Sequence, residues 1–543
     1  MTPEILEIVS ATVEKTNFKY YHTTRWNKEK CYAAYHILDF TNSKSISVGA
    51  KDFLKTNKEL MNLHKAVIGD KFYNSEENVQ FNLYFIIVVA DTYQIDCNII
   101  HNFQNEYSSS RKLFFTETQA KNYFSMREIL WYKDKSNKYS DLVEKINKLK
   151  SIDTQIESFG VSSDEEPKCN FNDAGSKIKS IDEIIFKNYK HFEDDKRLGF
   201  KQVNLIVSVN GGGKSSIFKA IKESITDSAL KNEVKVRCTI EENGSTISVE
   251  TPLTSPIESM VANYFNPEYT SKFDNSSDQP QTYIMNFLFP KWQLKTKNHL
   301  DNLGKLGSKR VLPNTNFSSQ TIKFVEEHIH LLEDEQNKIK NQLNTMPHYE
   351  DKIPLNNEKE KINAAKNKTE LILEYIKQLN EIIISDLPSK VSEMYSLFTN
   401  KRDYSEFTIP TSDFNSSENI LKAKRNWTER GNVEIPISEM STGQRSCMSL
   451  AIMLSMFCSE YRISDFIILD EPTIHLDMQH TLNIFDIIRE LAIKGVQIFF
   501  ASNNNQLEHL FRQKFKFLGN RFQEIHITEG KSTISNKSSI ANY

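Results

Sequence analysis

The sequence predicts an α/β protein in three parts: a small N-terminal α/β domain, then two α/β lobes separated by a short antiparallel helical hairpin. Three observations predict this. An apolar stretch, Val203 to Val209, runs into a glycine cluster and then a helix-forming segment. A second apolar stretch, Phe466-Ile-Ile-Leu-Asp-Glu471, ends in two acids. Between them, residues 320–384 carry apolar side chains that step by alternating threes and fours.

Size and composition set the outer limits. A chain of 543 residues exceeds one ordinary domain. Hydrophobic residues at 38% and charged residues at 26% are a globular mix with enough apolar side chains for a core. The net charge of -3 carries no bulk basic signal, so any nucleic-acid surface must be a local patch. Cys31, Cys97, Cys169, Cys238, Cys447 and Cys458 are far apart and form no CxxC pair, which suggests neither a zinc site nor a disulfide framework. The N-terminus is polar, and the longest apolar run, Leu83 to Ala90, is too short to span a bilayer. The expectation is a soluble cytoplasmic protein with no membrane partner.

Residues 1–150 read as the N-terminal domain. Phe85 to Val89 is a buried-strand pattern, Lys112 to Phe115 is another, and Thr116-Glu-Thr-Gln119 fits a helix capping box. His22, His36, His64 and His101 lack metal-ligand spacing and read as structural or surface residues. Residues 151–178 read as a linker, with the acidic turn-rich stretch Ser162 to Pro167 followed by Asn170, Asn172, Asp173 and Gly175.

The first lobe is assigned to residues 179–319. It contains a strand from Ile184 to Phe192, the strand Val203 to Val209, a helix from Lys214, and a hairpin over 234–250 turning at Asn243-Gly244. The hairpin arm follows at 320–384. Ile322, Val325, Ile329, Leu332, Gln336, Ile339 and Leu343 line its outgoing helix, and Ile362, Ala365, Thr369, Ile372, Ile376, Leu379 and Ile383 its returning one. Pro347 and Pro354 should break the rhythm at the tip. Arms of about 25 residues project roughly 35–40 Å at 1.5 Å per residue. The second lobe takes residues 385–543, is α/β from about 430, and ends in the strand Phe522 to Thr528, after which no further domain is expected.

Four motifs carry chemistry. Ser208-Val-Asn-Gly-Gly-Gly-Lys-Ser215 matches a phosphate-binding loop, with Ser208 replacing the first glycine. Its glycines let backbone N–H groups turn inward on phosphates, Lys214 would bridge the β- and γ-phosphates, and Ser215 would offer its hydroxyl to Mg²⁺. At the end of the second strand, Asp470 would hold the Mg²⁺ shell and Glu471 would polarise the attacking water. Ser438-Glu-Met-Ser-Thr-Gly-Gln-Arg-Ser446 opens a helix, with Ser441 a natural N-cap whose hydroxyl and helix N-terminus suit an anion. Pro472-Thr-Ile-His-Leu-Asp477 follows Glu471 directly.

Together these resemble the ABC-type ATPases of the SMC and RecF-like branch. Ser438 to Ser446 resembles their signature LSGGQ, with Met440 and Thr442 as departures, and Leu469 to Asp477 resembles their Walker B plus D-loop. The resemblance covers roughly residues 179–270 and 385–530. It implies a two-lobed ABC head with a short coiled-coil insertion that binds ATP and Mg²⁺ between two copies of itself. Asn210, Gly211, Gly212, Gly213, Lys214, Ser215 and Ser216 would hold the nucleotide in one copy. Ser441, Gly443, Gln444 and Asp477 would face it from the other. Serving with Glu471, Asn503 stands where the family has a switch histidine and can hydrogen-bond a phosphate oxygen without carrying a proton. The Q-loop glutamine has no clear counterpart; Asn266 or Glu268 are its candidates.

The arms lack a CxxC hook and are too short for a hinge domain, which argues against a condensin or a hook-type repair protein. Stand-alone heads of this shape resemble ATPase subunits of bacterial anti-phage systems, which act on nucleic acid and control an effector or regulator subunit. Two alternatives stay open: a housekeeping DNA-repair ATPase, and a nuclease whose N-terminal domain is catalytic. Because the head holds every group that hydrolysis needs, the N-terminal domain reads as a tethered docking module.

Overall fold

The computed structural model describes residues 10–15, 18–27, 30–41, 82–92, 100, 104, 110–124, 264–265, 319–345, 349–381, 387–399, 404–408, 422–427, 431–458, 464–527 and 534–537, together with 177–251 apart from 188, 191, 193–195, 209–210, 227–232 and 243–244. Asn210, Asn266 and Glu268 and most of the 151–178 linker lie outside the described residues.

The N-terminal part is one five-stranded sheet. Strands β1 (Ser10–Lys15), β2 (Phe18–Asn27) and β3 (Lys30–Asp39) pair antiparallel, and β3, β4 (Leu83–Val89) and β5 (Arg111–Thr116) pair parallel, in the order β1-β2-β3-β4-β5. Every residue of β4 is buried, which is what a continuous apolar run requires when both faces of a strand are covered. Helix α1 (Glu117–Phe124) follows β5. Its N-terminus is a capping box: Thr116 N–H donates to Gln119 Oε1 at 2.9 Å, and Gln119 N–H donates to Thr116 Oγ1 at 3.4 Å.

The first lobe supplies β6 (Lys177–Phe186), β7 (Lys196–Gly199), β8 (Val203–Ser208), α2 (Lys214–Thr226), β9 (Val234–Glu242), β10 (Ser245–Glu250) and β11 (Tyr264–Phe265). An antiparallel sheet, β10-β9-β6-β7, covers one side of the head. The strand expected over Ile184–Phe192 instead starts at Lys177, inside the stretch read as linker, and stops at Phe186. Phe186, Tyr189 and Phe192 are spaced by three, which no strand can keep on one face. Their rings stack on one another, with Phe186 and Phe192 centroids 4.3 Å apart, so the chain must turn.

The arm is an antiparallel pair, α3 (Ser319–Thr345) and α4 (Tyr349–Glu381). Ile329, Ile339 and Thr369 are buried at the expected seam positions, and Gln336 Nε2 donates to Asn363 Oδ1 across it at 3.2 Å. Lys366–Glu333 and Lys377–Glu326 ion pairs flank the seam at 2.8 and 2.7 Å. Pro347 lies outside the described residues, and Pro354 lies inside α4 rather than at the tip. It falls in the second turn, where a proline forfeits one early intrahelical bond and the seam has not begun.

The second lobe contributes α5 (Leu387–Thr399), a three-stranded sheet of β12 (Tyr404–Thr408), β13 (Lys422–Trp427) and β14 (Gly431–Pro436), then α6 (Thr442–Phe457), β15 (Phe466–Asp470), α7 (Met478–Ile493), β16 (Gln497–Ala501), α8 (Asn505–Phe515), β17 (Phe522–Ile527) and β18 (Ile534–Lys537). The two lobes share one sheet in the order β11-β15-β16-β8-β17-β18. Its first five strands are parallel, and β18, which lies beyond the strand expected to end the lobe, adds antiparallel to β17.

The N-terminal sheet does more than hang on a linker. It packs on the head through a buried ionic cluster, and the two share one continuous apolar core. Asp486 of α7 is reached by Arg111 at 2.9 Å, by Lys514 of α8 at 2.6 Å, and by Arg489 at 3.4 Å. Burial alone would raise the Asp486 pKa, but Lys514, Arg111 and Arg489 hold it well below the usual carboxylate range. Asp486→Ala should therefore leave three cations facing one another without water. The expected loss is about 3–5 kcal/mol of unfolding free energy in a denaturant titration. A loss below about 1 kcal/mol would contradict a cluster sealed from solvent.

Candidate nucleotide site

The site forms at the carboxyl ends of three neighbouring parallel strands, where loops of an open α/β sheet converge. Registers align Ile206 of β8, Ala501 of β16 and Asp470 of β15 in one row. The glycine loop follows β8, the two acids close β15, and Asn503 follows β16. Pairing of these strands thus brings together residues that are hundreds of positions apart.

In the loop, Gly211 and Gly213 have φ of 81° and 104°, a left-handed backbone that only glycine adopts at no steric cost. That conformation is what turns successive N–H groups toward one side of a loop. Lys214 is buried, and its ammonium donates to the Ser208 carbonyl at 2.8 Å and approaches Ser208 Oγ at 3.4 Å. Burial lowers the Lys214 pKa, against the opposing pull of Glu471, Glu508 and Asp470. Ser215 is exposed at the start of α2 and Asp470 is buried at the end of β15. An ammonium, a glycine-rich loop, a hydroxyl and a carboxylate form a set that fits a Mg²⁺-bound polyphosphate.

Glu471 is held in an uncommon way. Its φ is 53°, in the left-handed region, and its N–H donates to the Ala501 carbonyl at 2.9 Å. The Asn503 side-chain amide donates to Glu471 Oε1. Non-glycine residues in this region are rare and concentrate at functional sites. His475, four residues on, has φ of 66°. Burial and the neighbouring Asp470 raise the Glu471 pKa, while Lys214 pulls it down.

The signature and the D-loop meet. Ser441 and Gln444 cap α6 reciprocally: Gln444 N–H donates to Ser441 Oγ at 3.3 Å, and Ser441 N–H donates to Gln444 Oε1 at 3.1 Å. The Ser441 side chain is exposed, and this geometry leaves its hydroxyl proton to donate outward. A Cβ on Gly443 would lie 2.9 Å from the His475 carbonyl oxygen, so only glycine lets α6 approach the loop this closely. Asp477 is also exposed and caps α7, accepting from the His480 N–H and facing His480 Nδ1 at 2.8 and 2.7 Å.

Two residues near the phosphate loop escaped sequence reasoning. Lys190 has φ of 53°, lies 5.0 Å from the Tyr189 ring centroid, and donates to Ser216 Oγ at 3.4 Å. Its clue was the aromatic spacing around it, which marks a turn and not a strand. Glu508 of α8 is 5% exposed, and burial raises its pKa against the pull of Lys214 and Arg512. It reads in sequence as an ordinary first-turn acid.

A profile of the AAA ATPase domain family matches residues 180–502, more than half of the chain. The chain belongs to that family. Two archaeal relatives are also similar. The DNA double-strand break repair Rad50 ATPase of Sulfurisphaera tokodaii is 27% identical over 151 residues, 27% of this chain and 16% of that protein. The Rad50 ATPase of Saccharolobus solfataricus is 34% identical over 73 residues, 13% of this chain and 8% of that protein. This ATPase-family chain therefore spans under one fifth of the length of these curated relatives. Among solved structures, the Smc head domain of Pyrococcus furiosus, bound to the C-terminal domain of ScpA, aligns with TM-score 0.40 and 15% identity over 66% of this chain and 95% of that one. The Smc head of Pyrococcus yayanosii aligns with TM-score 0.40 and 12% identity over 66% and 96%.

Among the described residues no group of three His, Cys, Asp or Glu could hold a metal, in the N-terminal sheet or elsewhere, and no helix is long and apolar enough to cross a membrane.

Two outcomes follow from the geometry. Gly443→Ala should keep ATP binding but slow hydrolysis about tenfold, ~1.4 kcal/mol of barrier, because its methyl forces α6 off the loop at His475. Unchanged turnover in steady-state kinetics would mean the contact is irrelevant to the site. The raised Glu471 pKa should place the acid limb of the kcat–pH profile above the ordinary glutamate range, with activity rising as Glu471 deprotonates. An acid limb that falls within the ordinary glutamate range would assign that titration to another group.

Proposed function

We propose that this protein binds Mg-ATP, dimerises on it head to head, and hydrolyses it to control a process directed at nucleic acid. The observation that carries the reading is the convergence of Lys214, Asp470, Glu471 and Asn503 at three adjacent strand ends, with Glu471 pinned by both a backbone and a side-chain hydrogen bond. Lys214 exchanges the Ser208 carbonyl for the β- and γ-phosphate oxygens of the substrate. Gly211, Gly212, Gly213 and Ser216 direct donors at the same phosphates, and Asn210, which lies outside the described residues, is assigned to them from sequence. Ser215 and Asp470 would hold Mg²⁺, which would supply charge neutralisation to the transferring phosphoryl group. Glu471 orients the attacking water and accepts its proton, and Asn503 fixes the carboxylate that does so.

Ser441, Gly443, Gln444 and Asp477 form the half-site offered to a second copy. The exposure of Ser441 and of Asp477, and the close approach of Gly443 to the His475 carbonyl, support that role. An exposed helix N-terminus with a serine cap is built to receive a phosphate. The Rad50 relatives are named for DNA double-strand break repair, which supports a nucleic-acid-directed process. The finer reading is the ATPase and sensor subunit of an anti-phage system that works with an effector or regulator protein.

Calorimetry with Lys214→Ala should show no ATP binding; wild-type affinity would sink the phosphate-loop assignment. Glu471→Gln should bind ATP, stop hydrolysis and accumulate as a dimer in light scattering. Ser441→Arg should bind ATP as a monomer and turn over none. Full ATPase activity in Ser441→Arg would exclude a half-site acting in trans. For the finer reading, phage plating on cells carrying the intact gene neighbourhood should rise to the undefended level when Glu471→Gln replaces the wild-type chain.

A further inference from the structure

We infer that Tyr84 of the N-terminal sheet is a positioning residue for ATP hydrolysis, setting through helices α7 and α8 where Asp477, Asn503 and Glu471 stand. The inference rests on the ATPase reading above and concerns how the N-terminal sheet takes part in it.

Both helices begin at the nucleotide site and run to the N-terminal sheet. Asp477 caps α7, and Asn504, the residue after Asn503, caps α8 by accepting from the Gln506 and Leu507 N–H groups at 2.9 and 3.3 Å. Asp486 lies about 14 Å along α7 from its cap, and Lys514 about 15 Å along α8, at 1.5 Å per residue. At those points the helices meet one phenol. The Tyr84 hydroxyl donates to Asp486 Oδ1 and accepts from Arg489 at 2.5 Å and from Lys514 Nζ at 2.9 Å. A phenol offers one donor and has room for two acceptor contacts, so its capacity is full. All of it is spent on α7 and α8.

The surrounding contacts have the same pattern. Asn82 takes a hydrogen bond from Arg489 of α7 at 2.8 Å and gives one to the Lys514 carbonyl of α8 at 3.0 Å. Arg111 reaches Asp486 at 2.9 Å and also Asn483, while Tyr35 accepts from Arg489 at 3.2 Å. Near the start of α7, Gln479 donates to Gln104. Tyr84, Asn82, Asp486, Arg489 and Lys514 are all buried. In so dry a setting these bonds are directional and costly to leave unmade. They fix the relative placement of α7 and α8, and so of the residues at the helices' other ends.

Tyr84→Phe is the direct test. It deletes the three hydroxyl contacts and keeps the ring, which stacks on Tyr35 with centroids 4.7 Å apart. In the full chain we expect ATP affinity to change less than about twofold while kcat falls about fivefold or more, ~1 kcal/mol of barrier. Without nucleotide, amide hydrogen exchange should accelerate at residues 475–480 and 503–507. Arg111→Lys, which keeps the charge and loses the bond to Asn483, serves the same readouts if Tyr84→Phe does not fold. Unchanged exchange in those two segments, or an unchanged kcat, overturns the inference. If wild-type protein neither binds nor hydrolyses ATP, the ATPase reading fails, and the exchange result still decides whether the sheet positions the two helix starts.

Discussion

The parallel register of β15, β16 and β8 is the constraint on which the rest depends. Shift any one strand and Glu471, Asn503 and the glycine loop no longer share a level. The register is pinned from below by buried amides. Asn204 donates to the Ile498 and Lys201 carbonyls and accepts from the Lys201 N–H and from Gln523. Gln497 donates to the carbonyls of Ile181 and Lys201 and accepts from the Ile181 N–H, tying the central sheet to the antiparallel one. Apolar residues alone would drive the sheets together without choosing an alignment. A buried amide that slipped by one residue would lose its partners at once, so these side chains select one register.

Above that base the site holds conformations that the chain would not adopt unaided. Glu471 and His475 both have positive φ, and Glu471 is stabilised by contacts from other elements. Glu471 is tied to β16 by the Ala501 carbonyl and to the following loop by Asn503. His475 presents its carbonyl to Gly443, which has no Cβ to obstruct it. The signature helix, the D-loop and the acidic pair are therefore mechanically linked within one copy of the chain. Asn503 fits this arrangement, since its amide can donate to the carboxylate at any pH at which that carboxylate is charged.

The legible parts of the molecule were those set by short-range sequence. The glycine loop, the acids ending an apolar strand, the capping box at Thr116, the N-cap at Ser441, and the heptads at Ile329 and Ile339 each state their geometry within a few residues. Features made by distant segments were not legible. Lys190 reads as strand until three rings are seen to stack. Pro354 reads as a breaker until its place before the seam is known. The feature with the widest consequence lies in α7, on which the sequence reading was silent. Asn483, Asp486, Arg489 and Glu490 recur at helical spacing, which from sequence marks a solvated face. All four are buried under Tyr84, Arg111 and Tyr32.

That buried polar face explains why the N-terminal sheet and the head behave as partners of defined geometry rather than as two apolar surfaces stuck together. Desolvating Asp486, Arg489 and Lys514 costs several kcal/mol per ion, and their mutual attraction does little more than offset it. Net adhesion must come from the apolar contacts around them, such as the Tyr32 ring on Phe517. The charges add selectivity, because a sheet docked with Tyr84 or Arg111 out of place would leave ions buried and unpaired. An interface of this kind is held tightly in one arrangement and weakly in all others. The placement of the N-terminal sheet on α7 and α8 is thus as specific as the register of the strands beneath them.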